Sequence, residues 1–518
     1  MQIIITLAGK SKRFYKAGYN KPKFILELKD KTILEHVVSM FDTTNDDFYF
    51  VLNEEQNREF PEISKFLKKI VNKSNLIIID THDKGPNFSA LQVKNIKDDD
   101  ELIISYCDFF VKWDYARFKR EVYGYEAAIP AFSGFHPASF GKTFYAYMKL
   151  DKDNNLVELR EKNSFTERRH LEAASAGIYY FKNWSVFKKY AERVEQYGYE
   201  NLDEGYVSLL SNPMVKDGLK VKVTFVEKFI CLGTPEDYYQ YKFWEKYFLD
   251  HANMFERKYQ YDQTNIIPMA GKGNRFKLAG YRVGKPLIKL IDEPMMVKAF
   301  KSFPKPSKWI FLNREEDINT HPIEKDIKKF SENSLLIPVK EETSGQAATC
   351  LLGKDFINNE KSLYIASCDY LTIYDEEKWN SIFNDESIDC VIWTTKVKSN
   401  LTKDPKSFAY CKTKDDGILV EKIIEKETIS DDPGNDPLVI GSFWFRKGID
   451  FVSCAENAIK NNITINNEHY VGNSINYLIE KNKKVITFHT DQWISLGDPF
   501  ELDIYNYWEE YFNDIKSI

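Results

Sequence analysis

A loop of glycine and cationic residues occurs twice in this chain. It reads Ala8-Gly9-Lys10-Ser11-Lys12-Arg13-Phe14 near the start and Ala270-Gly271-Lys272-Gly273-Asn274-Arg275-Phe276 in the middle. Each copy directly follows a short apolar run, Ile3 to Leu7 or Ile266 to Met269, so each loop leaves a strand. Backbone N–H groups and fixed cations converge in such a loop, which suits it to holding a polyphosphate. Ala17-Gly18-Tyr19 and Lys21-Pro22 follow the first copy; Ala279-Gly280-Tyr281 and Lys285-Pro286 follow the second, with two extra residues between Tyr281 and Lys285. Farther on, Asp108 follows Ser105-Tyr106-Cys107 and Asp369 follows Ser367-Cys368, each at the end of an apolar run.

The echo continues in the same order. Glu161-Lys162 matches Glu425-Lys426, and the Gly-aromatic run from Gly177 matches that from Gly441. Glu204 and Tyr206 match Glu468 and Tyr470, and Leu232-Gly233-Thr234-Pro235 matches Leu496-Gly497-Asp498-Pro499. Ordered anchors with small insertions mark a duplicated domain of about 250 residues rather than a short solenoid repeat.

The elements that must position these residues follow from the patterning. Short apolar runs at Phe48 to Leu52, Leu76 to Ile79 and Leu102 to Tyr106 alternate with helical patterns. Thr32 to Phe41 puts Ile33, Leu34, Val37, Val38 and Phe41 on one face, and a helix is expected from Phe88 to Val93. The alternation predicts an α/β fold with mainly parallel sheets flanked by helices, in which ligands collect at the C-terminal ends of the strands. Gly9 and Asp108 both stand at such ends. Tyr239 to Leu249 and Leu502 to Tyr511 read as each domain's last helix. The expected organisation is domain 1 at residues 1–250, a linker at 251–263 and domain 2 at 264–518. A chain of 518 residues is too long for one ordinary core, which agrees with two domains.

Bulk composition narrows the function classes. A net charge of −6 argues against a general nucleic-acid binder. No apolar run approaches the ~18 residues of a membrane span. The strand begins almost at Met1, which leaves no room for a signal peptide, and the seven cysteines lack C-x-x-C spacing; both lead us to expect a cytoplasmic protein.

These motifs resemble the sugar-phosphate nucleotidyltransferases, and the resemblance runs twice along the chain. It implies two tandem Rossmann-like, GT-A-type domains with mixed, mainly parallel sheets. The family joins a nucleoside triphosphate to a phosphorylated sugar or small alcohol and releases pyrophosphate. By this resemblance Ala8, Gly9, Lys10 and Ser11, with Ala270, Gly271, Lys272 and Gly273, would hold the triphosphate. Gly85-Pro86 and Gly345-Gln346 would contact the base. Arg13 and Arg275 would stabilise the leaving pyrophosphate, and Lys21 and Lys285 would bridge the α-phosphate and the attacking group. Asp108 and Asp369 would hold Mg²⁺, one ion per active domain. Glu161, Lys162, Gly177 and Glu204, with Glu425, Lys426, Gly441 and Glu468, would line the acceptor pocket.

Two departures stand out. The first loop has Ser11 where the family signature has its second glycine, so if one copy is inactive the first is expected to be the one. Cys231 and Ser495 stand where many relatives carry a second metal-binding Asp; Glu227 and Asp491, four residues earlier, are candidates to compensate. The copies also differ in their base and acceptor loops. The leading expectation is a bifunctional enzyme, monomer or homodimer, supplying precursors for surface polysaccharide. One catalytic domain with a regulatory or scaffolding partner is the alternative. A GT-A glycosyltransferase fits less well, because neither Asp sits in a D-x-D motif.

Overall fold

The computed structural model describes residues 1–141, 144–199, 202–250, 256–291, 293–396 and 403–516. The chain divides into two compact units, Met1–Glu245 and Lys246–Ile518.

In the first unit the strand Gln2–Thr6 lies between Asp47–Asn53 and Leu102–Tyr106 and pairs parallel to both. Ile3, Ile4 and Ile5 have no exposed surface, as expected of a strand covered on both faces. Ser74–Ile79 extends this parallel half. On the other side of Leu102–Tyr106 the sheet turns antiparallel through Ile178–Phe181, Ala127–Phe132, Ala173–Ser175, Ala146–Leu150 and Leu156–Glu161. The sheet is therefore mixed: the loop-bearing half is parallel, and the half holding Glu161 is antiparallel apart from Val221–Phe225, which pairs parallel to Ala127–Phe132.

The second unit repeats this plan. Its sheet runs Ser334–Val339, Lys305–Arg314, Gln260–Met269, Ser362–Ile365, Leu438–Phe445, Cys390–Thr395 and Val485–His489. Ala409–Thr413 and Val420–Glu425 form the antiparallel flank. Each unit also carries a small two-stranded pair beside its Asp: Phe109–Lys112 with Lys228–Cys231, and Tyr370–Ile373 with Gln492–Ser495.

Local chemistry sets the helix boundaries. The helix expected from Thr32 runs Ile33–Val38, with Thr32 as its N-cap in a reciprocal capping box with Glu35. It buries Ile33, Leu34, Val37 and Val38. The helix expected from Phe88 starts two residues earlier, as Pro86–Leu91, since proline is well tolerated in a first turn. The strand Gln260–Met269 starts inside the expected linker 251–263, whose residues 251–255 lie outside the described residues. Its first half, Gln260-Tyr261-Asp262-Gln263-Thr264, is too polar to announce a strand, yet it pairs with Lys305–Arg314 and Ser362–Ile365.

Candidate functional site

The phosphate-type loop of the first unit is tied back by side chains that the sequence motif does not contain. Asn53 Nδ2 donates to the Ala8 carbonyl at 2.8 Å, and Gln56 Nε2 donates to the Gly9 carbonyl at 2.9 Å. In a trans peptide the following N–H points the opposite way, so the amides of Gly9 and Lys10 face the open side. A Cβ built on Gly9 would meet nothing within 4 Å. Phe14, buried under the short helix Lys12–Lys16, anchors the loop against Tyr19, ring centroids 5.5 Å apart. Phe276 and Tyr281 repeat this at 5.3 Å. The tie-back is not repeated: Asn313 stands at the matching place, but its Nδ2 is buried without a partner.

Ser11 adopts the same left-handed conformation as Gly273, φ 49 against φ 62. A non-glycine residue there costs about 1–2 kcal/mol. The Ser11 hydroxyl offsets part of that by accepting from the Lys23 amide at 3.2 Å. The loop shape is thus kept in both units, and Ser11 gives no reason to regard the first as the inactive one.

The structure corrects the pairing of Lys21 with Lys285. Lys23 and Lys285 each begin a short helical turn, Lys23–Ile25 and Lys285–Leu287, and each lies four residues after its tyrosine. There are no extra residues in the second copy. Lys23 Nζ donates to Asp108 Oδ2 at 2.6 Å, and Lys285 Nζ makes the same bond to Asp369 Oδ2. Lys21 is exposed, with no ion pair among the described residues.

Burial opposes both ammonium charges. The carboxylate beside each outweighs that and holds both lysines above the ordinary range. Burial likewise opposes the Asp369 charge, and Lys285 reverses the balance, so Asp369 lies below its usual value. Gly233 and Gly497 let these carboxylates approach the backbone: a Cβ on either would stand 3.4 Å from the Asp Oδ2.

The remaining cations are less committed. Lys10 and Lys12 reach Asp83 at 2.6 and 3.2 Å, and Lys272 reaches Glu342 at 2.6 Å. Arg13 is exposed and without an ion pair among the described residues. Arg275 lies 3.6 Å from Asp498, with 69% of its side chain exposed.

Cys231 and Ser495 pair with Phe109 and Tyr370, the residues after the two Asp, so they do stand beside them. Burial pushes the Cys231 thiol well above its usual value, which keeps it protonated and a poor ligand. Glu227 and Asp491 cannot compensate. The register places them beyond the far end of each strand pair, about 13 Å along from the Asp. The nearby second carboxylate that sequence reasoning missed is Asp237, which Asp108 pushes upward after the larger effect of burial. Asp237 is already bound to the Thr234 amide and hydroxyl, at 3.0 and 2.7 Å, as a helix cap. Among the described residues, no three His, Cys, Asp or Glu side chains gather into a metal nest.

The two other loops close on the same strand ends. Gly85, φ 92, packs against Gly205, where a Cβ would stand 2.8 Å from that residue's N and O. Two backbone bonds lock the contact, Gly205 N to Lys84 O and Asn87 N to Gly205 O, both 2.9 Å. Gly345 repeats it against His469, at 2.6 and 3.0 Å, with His469 Nδ1 also 2.9 Å from Ser344 Oγ. Pro86 opens the helix after Gly85, and Gln346 the helix after Gly345. Glu204 and Glu468 are exposed one residue before these contacts.

Glu161 and Glu425 end matching edge strands, and Lys162 and Lys426 follow in the left-handed region, φ 54 and 59. The same left-handed strain thus recurs at matched non-glycine positions in the two units. Lys162 Nζ bonds the Tyr206 hydroxyl, whereas Lys426 Nζ bonds the Ser407 carbonyl. Gly177 sits under Phe109, where a Cβ would collide at 2.5 Å; Gly441 has 3.7 Å to Tyr370.

Residues 2–242 match the family model described as nucleotidyl transferase. The bifunctional protein GlmU of Methanocaldococcus jannaschii is 25% identical over 256 residues, 49% of this chain and 55% of that one. The bifunctional protein GlmU of Methanococcus maripaludis is 27% identical over 183 residues, 35% of this chain and 40% of that one. The chain spans about half the length of the curated relatives it matches. A solved nucleoside-diphosphate-sugar pyrophosphorylase from Vibrio cholerae shares 18% identity at a TM-score of 0.40, covering 47% of this chain and 99% of that one. The match to the nucleotidyl transferase model thus lies within the first unit and covers less than half of the chain.

Proposed function

We propose that each unit transfers a nucleoside monophosphate from a nucleoside triphosphate to a phosphorylated sugar or small alcohol. An acceptor phosphate oxygen attacks the α-phosphorus, the bond to the β-phosphate breaks, and pyrophosphate leaves. The observation that carries this reading is the Lys–Asp pair set against the phosphate-type loop in both units: Lys23 with Asp108 and Lys285 with Asp369. Two anions must meet in this reaction, and charge grows on the leaving group, so fixed cations and oriented amides are what it requires.

In this scheme the Gly9 and Lys10 amides hold the triphosphate, and Arg13 and Arg275 meet the departing pyrophosphate. Lys23 and Lys285 leave their Asp partners for the α-phosphate and the incoming oxygen. Lys162 and Lys426 grip the acceptor phosphate. One carboxylate per site suits Mg²⁺, which keeps waters and takes most of its other ligands from substrate phosphates. When bound beside Asp108 or Asp369, the ion would supply charge neutralisation at the phosphates. A supply role in surface polysaccharide assembly rests on family likeness alone.

A second reading makes one unit catalytic and the other a nucleotide-binding partner. The family match, which ends at residue 242, favours the first unit as the working one. Pyrophosphate release decides between them, measured with Mg²⁺, the common nucleoside triphosphates and a panel of phosphorylated sugars and alcohols. If Asp108→Ala and Asp369→Ala each remove a different substrate pair, both units work. If only one substitution matters, the second reading holds. No release with any pair would sink both.

A further inference from the structure

The two units hold their matched glutamates in opposite ways. In the first, the Ser208 hydroxyl donates to Glu161 Oε2, and among the described residues no hydrogen bond reaches Oε1. In the second, glycine replaces that serine. Gly472 lies so close to Glu425 that a Cβ would stand 2.6 Å from its Oε1. No hydrogen bond reaches the Glu425 carboxylate among the described residues. Glu425 is half-buried, so both of its oxygens can accept donors from outside the fold.

The neighbours change in concert. Tyr206 reaches across to Lys162 in the first unit. In the second, Lys426 has turned to the Ser407 carbonyl, its Nζ 5.6 Å from the Tyr470 ring centroid. The first pocket therefore presents one carboxylate oxygen and the second presents two.

We propose that position 208/472 determines acceptor specificity. The second unit takes a phosphorylated polyol that sets a vicinal pair of hydroxyls on the two oxygens of Glu425. The first takes an acceptor that offers a single donor to Glu161. An ionised carboxylate accepts at both oxygens, and the geometry of two neighbouring hydroxyls matches it. This rests on the transferase reading above.

The test uses the full chain with one unit silenced. In Asp108→Ala protein, pyrophosphate release is measured with sugar 1-phosphates and glycerol 3-phosphate, which carry vicinal hydroxyls, and with phosphoethanolamine and phosphocholine, which do not. Gly472→Ser caps Glu425 as Ser208 caps Glu161. It is expected to raise KM for the vicinal-diol acceptor about tenfold, with kcat changed by less than threefold. The reverse substitution, Ser208→Gly in Asp369→Ala protein, adds no atoms and should fold. It is expected to raise the kcat/KM of the first unit for vicinal-diol acceptors relative to the others by about tenfold. Release that persists with an unchanged acceptor ranking in both variants overturns the proposal. So does a wild-type second unit that prefers phosphocholine. Absence of release from both silenced proteins fails the transferase reading itself, a result distinct from an unmoved ranking.

Discussion

Replacing Lys23 and Lys21 separately tests which lysine serves the first site. Lys23 Nζ lies 2.6 Å from Asp108 Oδ2, and only about a fifth of its side chain is exposed. Its charge therefore acts where water screens it little. Removing one preorganised group aimed at developing charge costs about 10²–10³ in kcat, or about 3–4 kcal/mol. Lys21 is exposed, and a surface cation contributes about 0–1 kcal/mol, at most fivefold. In Asp369→Ala protein, where only the first unit works, Lys23→Ala should lower kcat/KM for pyrophosphate release by 10²-fold or more. Lys21→Ala should stay within fivefold. Lys23→Ala also leaves Asp108 without its partner, at about 1–3 kcal/mol of stability, so urea midpoints are measured first and rates taken well inside the folded range. Equal damage from the two substitutions, or a Lys23→Ala loss under threefold in folded protein, would refute the placement of Lys23.

Other substitutions probe separate parts of the argument. Gly85→Ala forces a Cβ to within 2.8 Å of the Gly205 backbone at a φ of 92; strain of about 1–3 kcal/mol and two weakened backbone bonds should lower the urea midpoint and raise KM for the nucleotide. Ser11→Gly relieves left-handed strain and loses the bond to Lys23, so stability should move by less than about 1 kcal/mol and activity should persist. Glu425 gives a pH test. Burial lifts its carboxyl from 4.5 to about 7, so the folded protein keeps a proton that the unfolded chain releases. Stability from this group is full below about pH 4.5 and is lost as pH rises through 7, by roughly 3 kcal/mol in all. Glu425→Gln should remove that part of the pH dependence. Acceptor KM in the second unit should fall as pH rises through 7, since the charged carboxylate is the form that accepts hydroxyls.

Much of the site was legible because its residues recur. One glycine-cation loop is weak evidence, but two copies with Asp, Glu-Lys and Gly-aromatic anchors in order mark a repeated domain and the strand ends where its candidate residues gather. Misreadings arose where letters replaced geometry. Lys21-Pro22 looks like Lys285-Pro286, yet the helical turn that delivers the cation starts at Lys23. Glu227 and Asp491 shared a spacing that the antiparallel register carries away from the Asp. Other features had no signal in one sequence. Asn53 and Gln56 reach the loop only because their strand and helix lie beside it, and Ser208 meets Glu161 across the fold. The strand from Gln260 opened on polar residues whose burial depends on neighbouring strands.

The Lys–Asp contact also bears on the order in which the site fills. A divalent ion arriving alone at Asp108 or Asp369 meets a carboxylate whose charge is already spoken for, and it would have to evict an ammonium to bind. A nucleotide arriving with its own metal brings both the cation that Asp lacks and the anion that Lys prefers. On the proposed function the pair would then separate in one exchange, Asp108 or Asp369 holding the metal and Lys23 or Lys285 the phosphate. On the proposed function such a site would stay closed to stray cations and open to a metal–nucleotide complex, so the protein alone should bind free Mg²⁺ far more weakly than the nucleotide does.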